Sequence, residues 1–94
     1  MFTFLCGNIL TMQITVKLYA MLSEYLPPGA VRNVSRLDVA EAATVSAVIK
    51  QLRLPSELVH LVMINGVQVP PSRHASVALR DSDSLAIWPP VAGG

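Results

Sequence analysis

Residues 44–52, TVSAVIKQL, are the stretch on which the fold depends, because they are predicted to form the helix that the other elements surround. Their apolar side chains recur at i, i+3, i+4 and i+7, the spacing of a single helical face. These side chains are Val45, Val48, Ile49 and Leu52. Thr44 is suited to cap the first turn. Pro55 is expected to end the helix, since proline disfavours helical geometry in the residue before it.

Two strands are predicted on the N-terminal side of this helix. Residues 13–19, QITVKLY, alternate apolar and polar side chains, as expected of a strand with one buried face. A loop follows that contains Pro27, Pro28 and Gly29, residues that do not continue a helix. Residues 33–41, NVSRLDVAE, then alternate again and form the second predicted strand.

Three further strands are predicted on the C-terminal side. Residues 61–64, LVMI, form a continuous apolar run, which favours a strand buried on both faces. Asn65-Gly66 then predicts a hairpin with a type I′ turn, in which both central residues have positive φ. A short strand at 67–69 completes the hairpin, and residues 85–88 form the last strand.

The order of these elements predicts an α+β domain, with a mixed sheet of four to five strands packed on one main helix. In the last strand Leu85 and Ile87 share one face, so Trp88 is expected on the opposite face. If Leu85 and Ile87 contact the helix, Trp88 is available to another protein, and tryptophan is enriched at binding hot spots. The alternative is that Trp88 folds over the sheet edge or packs against the N-terminal residues.

Length and composition restrict the classes of function. The 94 residues suffice for one domain. Hydrophobic residues make up 52% and charged residues 14%, against about 25% charged in an average domain. We therefore expect an exposed apolar patch that binds a partner. The seven Lys and Arg residues are scattered and the net charge is +1, which argues against nucleic-acid binding. No apolar run approaches the ~18 residues that a membrane span requires.

No catalytic or metal-binding constellation is recognisable in the interior of the sequence. Cys6, the single cysteine, cannot form an internal disulfide, which fits a reducing cytoplasm. His60 and His74 are isolated, and no set of residues has metal-ligand spacing. We expect residues 1–11 to be a disordered or peripheral extension, with Met1 or Met12 as the native start, and residues 12–94 to form the domain.

The chain ends in IWPPVAGG, a stretch suited to enter the active site of another protein. Pro89 and Pro90 favour a stiff, extended exit from the sheet, and residues 91–94 reach at most about 13–14 Å. Gly93 and Gly94 can pass through a narrow channel into the active site of a partner, because glycine lacks a β-carbon. Adenylation of the terminal carboxylate would create an acyl group that a sulfur or nitrogen nucleophile attacks. The alternative is a frayed terminus with a chance glycine pair.

These features resemble the ubiquitin-like sulfur carriers with the β-grasp fold, the MoaD/ThiS group. The resemblance covers residues 12–94 and rests on ITVKLYAMLSEYLPPG, LVHLVMINGVQV and LRDSDSLAIWPPVAGG. The last segment is more similar to the small subunit of molybdopterin synthase than to the thiamine carrier, because PPVAGG follows an aromatic residue. Ser82 stands where the group often has glycine. We expect a type I-like turn there without loss of function, since serine tolerates positive φ poorly.

The resemblance implies that an E1-like adenylating enzyme activates Gly94 with ATP and that the carboxylate becomes a thiocarboxylate. Sulfur then passes to a pterin precursor in the large subunit of molybdopterin synthase, or to another sulfur-accepting synthase. The carrier itself binds no cofactor and is not catalytic alone. The implied partner-binding residues are Trp88, Pro89, Pro90, Val91, Ala92 and Gly93.

Three alternatives to a molybdopterin sulfur carrier stay open at this point. The first is a carrier for thiamine or another thio-metabolite, and the second is a ubiquitin-like modifier joined to lysines through Gly94. The third is an interaction module in which Gly-Gly is incidental.

Overall fold

The computed structural model describes residues 11–90, which form a five-stranded mixed sheet packed on one α-helix. The strands are β1 Thr11–Leu18, β2 Val34–Ala40, β3 Leu61–Ile64, β4 Val67–Gln68 and β5 Ser84–Trp88, and the α-helix, α1, is Val45–Gln51. Short 3₁₀ helices occupy Ala20–Tyr25, Ser56–Leu58 and Pro71–Arg73. The predicted α+β fold is therefore confirmed. The expected extension at residues 1–11 lies outside the described residues except for Thr11, which begins β1.

The sheet order β2-β1-β5-β3-β4 brings the first and last strands together in the centre. β1 runs parallel to β5 and antiparallel to β2, and β3 runs antiparallel to β5. The carboxyl ends of β1 and β5 therefore lie at the same end of the sheet as the start of β3. The C-terminal residues leave the sheet at this end.

One face of the sheet and α1 enclose a single hydrophobic core. Alternate residues of β1 are buried, namely Met12, Ile14, Val16 and Leu18, as are Leu85 and Ile87 of β5. The predicted helical stripe packs against them: Val45 and Val48 are completely buried, Leu52 is also buried in the core, and the partly buried Ile49 packs against it. The predicted cap is confirmed, because the Ala47 N–H donates to Thr44 Oγ1 at 3.1 Å.

The helix ends in a way that the sequence analysis did not anticipate. Arg53 adopts φ +61°, and its N–H donates to Lys50 O at 3.0 Å while the Leu54 N–H donates to Ile49 O at 3.1 Å. This is the Schellman arrangement, in which a left-handed residue just after the helix allows the last carbonyls to be paired. The prediction that Pro55 ends the helix is wrong, since the chain has left helical geometry two residues earlier and buries Leu54.

The two predicted turns have different outcomes. Asn65 and Gly66 have φ +51° and +85°, so the type I′ hairpin is confirmed. The turn at residues 80–83 closes through an Asp83 N–H bond to Arg80 O at 3.1 Å, and Ser82 has φ +71°. Asp81 is not among the residues with positive φ, which makes this a type II turn. The prediction of a type I-like turn is therefore wrong.

The prediction that β3 is buried on both faces is also wrong. Val62 is only 1% exposed, whereas Leu61 and Met63 are half-buried. The reason is that α1 packs on the face that carries Val62, while the opposite face of the sheet stays partly open to solvent. We call this opposite face the outer face.

Candidate functional site

Trp88 lies on the outer face, as its position in the strand predicted. Leu85 and Ile87 are completely buried towards α1, and the half-buried Trp88 projects to the other side. Its ring stacks on the ring of Tyr19, with centroids 4.3 Å apart and planes 2° from parallel. Tyr19 follows β1 directly and meets Trp88 because Leu18 pairs with Ile87 in the parallel register.

Apolar side chains surround this stack on the outer face. Leu61 pairs with Trp88 across β3 and β5, and Met63 pairs with Ala86. We define the outer patch as Tyr19, Leu61, Met63, Ala86 and Trp88, all of which are half-buried. The outer patch lies at the end of the sheet from which the C-terminal residues leave. A cluster of partly exposed aromatic and aliphatic side chains is the composition expected of the centre of a protein interface.

The other end of the outer face is polar and internally bonded. Arg36 Nη1 donates to Gln13 Oε1 at 2.7 Å, and Gln13 Nε2 donates to Asp38 Oδ1 at 3.2 Å. Lys17 lies between this network and the outer patch, since it pairs with Ala86 on one side and with Val34 on the other. The outer face therefore has an apolar half beside the C-terminal exit and a hydrogen-bonded half away from it.

The two prolines that follow Trp88 lie in different environments. Pro89 is buried and continues the core-facing series of Leu85 and Ile87, whereas Pro90 is exposed. The exit from the domain therefore begins at Pro90. The predicted partner contact of Pro89 stays a prediction, and its side chain is not part of the outer patch.

The remaining predicted site residues fall outside the described part of the chain. They are Val91, Ala92, Gly93 and Gly94. The exposed His60 lies beside the exit, where its N–H donates to Trp88 O at 2.9 Å. His74 contacts a different part of the chain, where its Nε2 lies 3.1 Å from Val69 O.

Within residues 11–90 no group of His, Cys, Asp and Glu side chains is arranged to hold a metal ion. None of the helices in this part of the chain is long and apolar enough to cross a membrane.

Sequence reasoning identified only Trp88 of the outer patch and missed its four other members, Tyr19, Leu61, Met63 and Ala86. Tyr19 ends the outward-facing series that begins with Gln13, and Leu61 and Met63 are alternate residues of the LVMI run. The available signal was the excess of apolar residues over what one core of this size buries. It did not identify which residues form the patch, because strand pairing places them together.

Comparisons with known proteins give one matching family model and several structures of similar fold. A family model described as the ThiS family matches residues 16–94. The solution structure of the Haloferax volcanii HVO 2177 protein is 28% identical, with a TM-score of 0.70, and the match covers 89% of this chain and 88% of that one. The small archaeal modifier protein 1 of the same organism is also 28% identical, with a TM-score of 0.63 and coverage of 85% and 99%.

A more distant structure shows the fold alone. It is a Pyrococcus furiosus protein described as molybdopterin converting factor, subunit 1, which is 20% identical with a TM-score of 0.61. The match covers 85% of this chain and 99% of that one. No curated protein sequence matches the chain significantly.

Proposed function

Because the chain belongs to the ThiS family and has the ubiquitin-like β-grasp fold, we propose that it is a sulfur carrier that acts through the carboxylate of Gly94. An E1-like enzyme adenylates this carboxylate with ATP, and a sulfide-level donor converts the adenylate to a thiocarboxylate. The carrier then donates sulfur in the biosynthesis of molybdopterin, in the cytoplasm. The observation that carries this proposal is the position of the outer patch, which includes Trp88 and therefore lies directly beside Pro89 and Pro90, the residues that precede VAGG in the sequence.

The chemistry requires the partner to supply every catalytic group. The carboxylate oxygen attacks the α-phosphorus of ATP and pyrophosphate leaves. Hydrosulfide then attacks the acyl carbon, the bond to AMP breaks, and the acyl group keeps the sulfur. This chain contributes binding surface and presentation of the reacting group, so that binding energy holds the carboxylate where the enzyme acts on it.

We assign the outer patch to binding of the partner proteins, while Gly94 carries the reacting carboxylate. Tyr19 and Trp88 offer large rigid rings, and Leu61 and Met63 extend the apolar surface across β3. Burial of such anchors in a partner contributes most of the binding energy of a typical interface. The same surface would serve the activating enzyme and the large subunit of the synthase in turn, since both must reach the same carboxylate.

Intact-mass spectrometry tests the proposal. The chain is incubated with ATP, a sulfide source and the adenylating enzyme of its own organism. We expect a mass increase equal to the exchange of one oxygen for one sulfur, and none in a matched chain that lacks Gly94. An unchanged mass of the full chain under these conditions would contradict the proposal.

The sulfur acceptor is tested separately. Co-purification with a large molybdopterin synthase subunit is the expected result. Co-purification with a thiazole synthase would instead favour a thiamine carrier, which is the nearest alternative within the family.

A second candidate function is conjugation to other proteins, which is favoured by the 28% identity to the small archaeal modifier protein 1. In that case a lysine amine attacks the acyl carbon of the Gly94 adenylate, or of a thioester made from it, so that AMP or the thiol leaves and an isopeptide bond forms. Proteolysed cell extracts would then contain lysines that carry remnants of the PPVAGG segment. Such remnants are absent if the chain acts as a sulfur carrier alone.

A further inference from the structure

The end of β5 is fixed by hydrogen bonds on both sides up to its last residue. The Tyr19 N–H donates to Ile87 O at 3.1 Å, and the His60 N–H donates to Trp88 O at 2.9 Å. The following residue, Pro89, is buried. The first exposed residue after the strand is Pro90, whose ring restricts its φ to near −65°.

The backbone of Tyr19 is hydrogen-bonded at both its N–H and its carbonyl oxygen. In addition to its N–H bond, its carbonyl oxygen accepts from the Leu22 N–H at 3.1 Å, and Leu22 is completely buried. The next residue, Ala20, has φ +54° and begins the 3₁₀ helix that carries Leu22. The backbone of Tyr19 is therefore anchored at both its N–H and its carbonyl oxygen, and its ring lies parallel against the Trp88 indole.

We propose that Tyr19 is a positioning residue for the C-terminal arm, residues 90–94. By holding Trp88 through the ring stack, and Ile87 through its N–H, it fixes the point and direction in which the arm leaves the sheet. This inference rests on the proposed function for its biological meaning, because it concerns how Gly94 reaches a partner.

The fixed origin sets a distance that any partner must match. Five residues span at most about 17–18 Å, and Pro90 stiffens the first of them. An enzyme that acts on Gly94 while it contacts the outer patch must therefore hold its reactive centre within about 18 Å of Pro89. The activating enzyme and the sulfur acceptor are subject to the same limit, since one arm serves both.

The positioning role is measured first on the chain alone. In a Cys6→Ser background, nitroxide labels are attached at Ala92→Cys on the arm and at Ala47→Cys, an exposed position on α1. Electron–electron double resonance then gives the distribution of distances between the labels. We expect Tyr19→Ala to broaden the distribution beyond replicate error relative to the chain with Tyr19, and Tyr19→Phe, which keeps the ring stack, to give the same width as the chain with Tyr19. Equal widths for all three chains would overturn the proposal.

Kinetics with the adenylating enzyme provide the second measurement, with pyrophosphate release as the readout. Misplacement of reacting atoms by about 1 Å costs up to about 100-fold in rate, so we expect Tyr19→Ala to lower kcat at saturating carrier by about tenfold or more. Thr15→Ala is the matched control, because Thr15 lies on the same face of the sheet, outside the outer patch, and pairs with Ser84 and Arg36. It is expected to change both KM and kcat by less than about twofold, as non-central contacts do.

The outcomes distinguish a positioning role of Tyr19 from a docking role. They also distinguish failure of this inference from failure of the proposed function. A Tyr19→Ala effect confined to KM would make Tyr19 a docking residue and overturn the inference. If Tyr19→Ala is unfolded at the assay temperature, Tyr19→Leu replaces it, since leucine keeps apolar volume but cannot stack. If the wild-type chain is not adenylated, the proposed function fails while the label distances still decide whether Tyr19 positions the arm.

Discussion

Ser82 shows how a single residue can hold a conformation that its side chain disfavours. Its φ of +71° belongs to the left-handed region, which costs L-residues roughly 1–2 kcal/mol. The turn keeps this geometry because it is bonded to β1: the Ser82 N–H donates to Gln13 O at 2.8 Å, and the Gln13 N–H donates to Asp81 Oδ1 at 3.0 Å. The Asp83 carboxylate adds a bond from the Arg80 N–H at 2.8 Å.

Replacing Ser82 by glycine is expected to stabilise the protein. Glycine adopts positive φ without steric cost but loses more backbone entropy on folding, so the net gain is about 0.5–1 kcal/mol. The free energy of unfolding from urea titration measures the change. Ser82→Ala is the matched control, since it removes the hydroxyl but keeps the β-carbon, and should give no gain. Equal stabilities for Ser82→Gly and Ser82→Ala would contradict the explanation.

At the scale of elements, α1 depends on partners for its first backbone groups. The Val45 N–H donates to Val77 O at 3.2 Å and the Ser46 N–H to His74 O at 2.9 Å. The Ala47 N–H donates to Thr44 Oγ1 at 3.1 Å. The segment before β5 and one side chain thus satisfy donors that a helix start otherwise leaves unpaired. A helix of seven residues is too short to be stable by itself in water. Its helical conformation is therefore stabilised by these hydrogen bonds and by its packing in the core.

Loss of the Thr44 hydroxyl is expected to destabilise the domain. Thr44→Ala leaves the Ala47 N–H without its acceptor and should cost about 1 kcal/mol, which corresponds to a fall in Tm of about 4–8 °C for a domain of this size. Thr44→Ser keeps the accepting oxygen and should stay near the wild-type Tm in a thermal unfolding experiment. A Tm for Thr44→Ala equal to that of Thr44→Ser would show that the cap contributes nothing.

At the scale of the whole molecule, the sheet has one covered face and one outer face divided into two halves. The covered face packs on α1 and contains no buried polar side chain among the described residues. The outer face places apolar side chains beside the C-terminal exit and a Gln13–Arg36–Asp38 network away from it. This division directs a partner to the end of the sheet where the arm begins, because apolar surface supplies the larger share of binding energy.

A substitution in the apolar half should therefore weaken partner binding more than one in the polar half. We expect Met63→Gln to raise the Kd for the adenylating enzyme by about tenfold, equivalent to about 1.4 kcal/mol. Thr15→Ala, on the same face but outside the outer patch, should change the Kd less than about twofold, as non-central contacts do. Isothermal titration calorimetry measures both values. Comparable losses for the two variants would show that the partner does not dock on the outer patch.

The sequence by itself determined the elements whose cause is local. The spacing of Val45, Val48 and Leu52 along one helical face, the positive φ that Asn65-Gly66 accepts, and the opposite directions of Ile87 and Trp88 all follow from backbone geometry within a few residues. Only the tertiary structure decided which strands are neighbours. Parallel pairing of the first and last strands brings Tyr19 onto Trp88, and the one-sided packing of α1 leaves Leu61 and Met63 of β3 only half-buried. These contacts join residues far apart in the chain, where no local pattern specifies the partner.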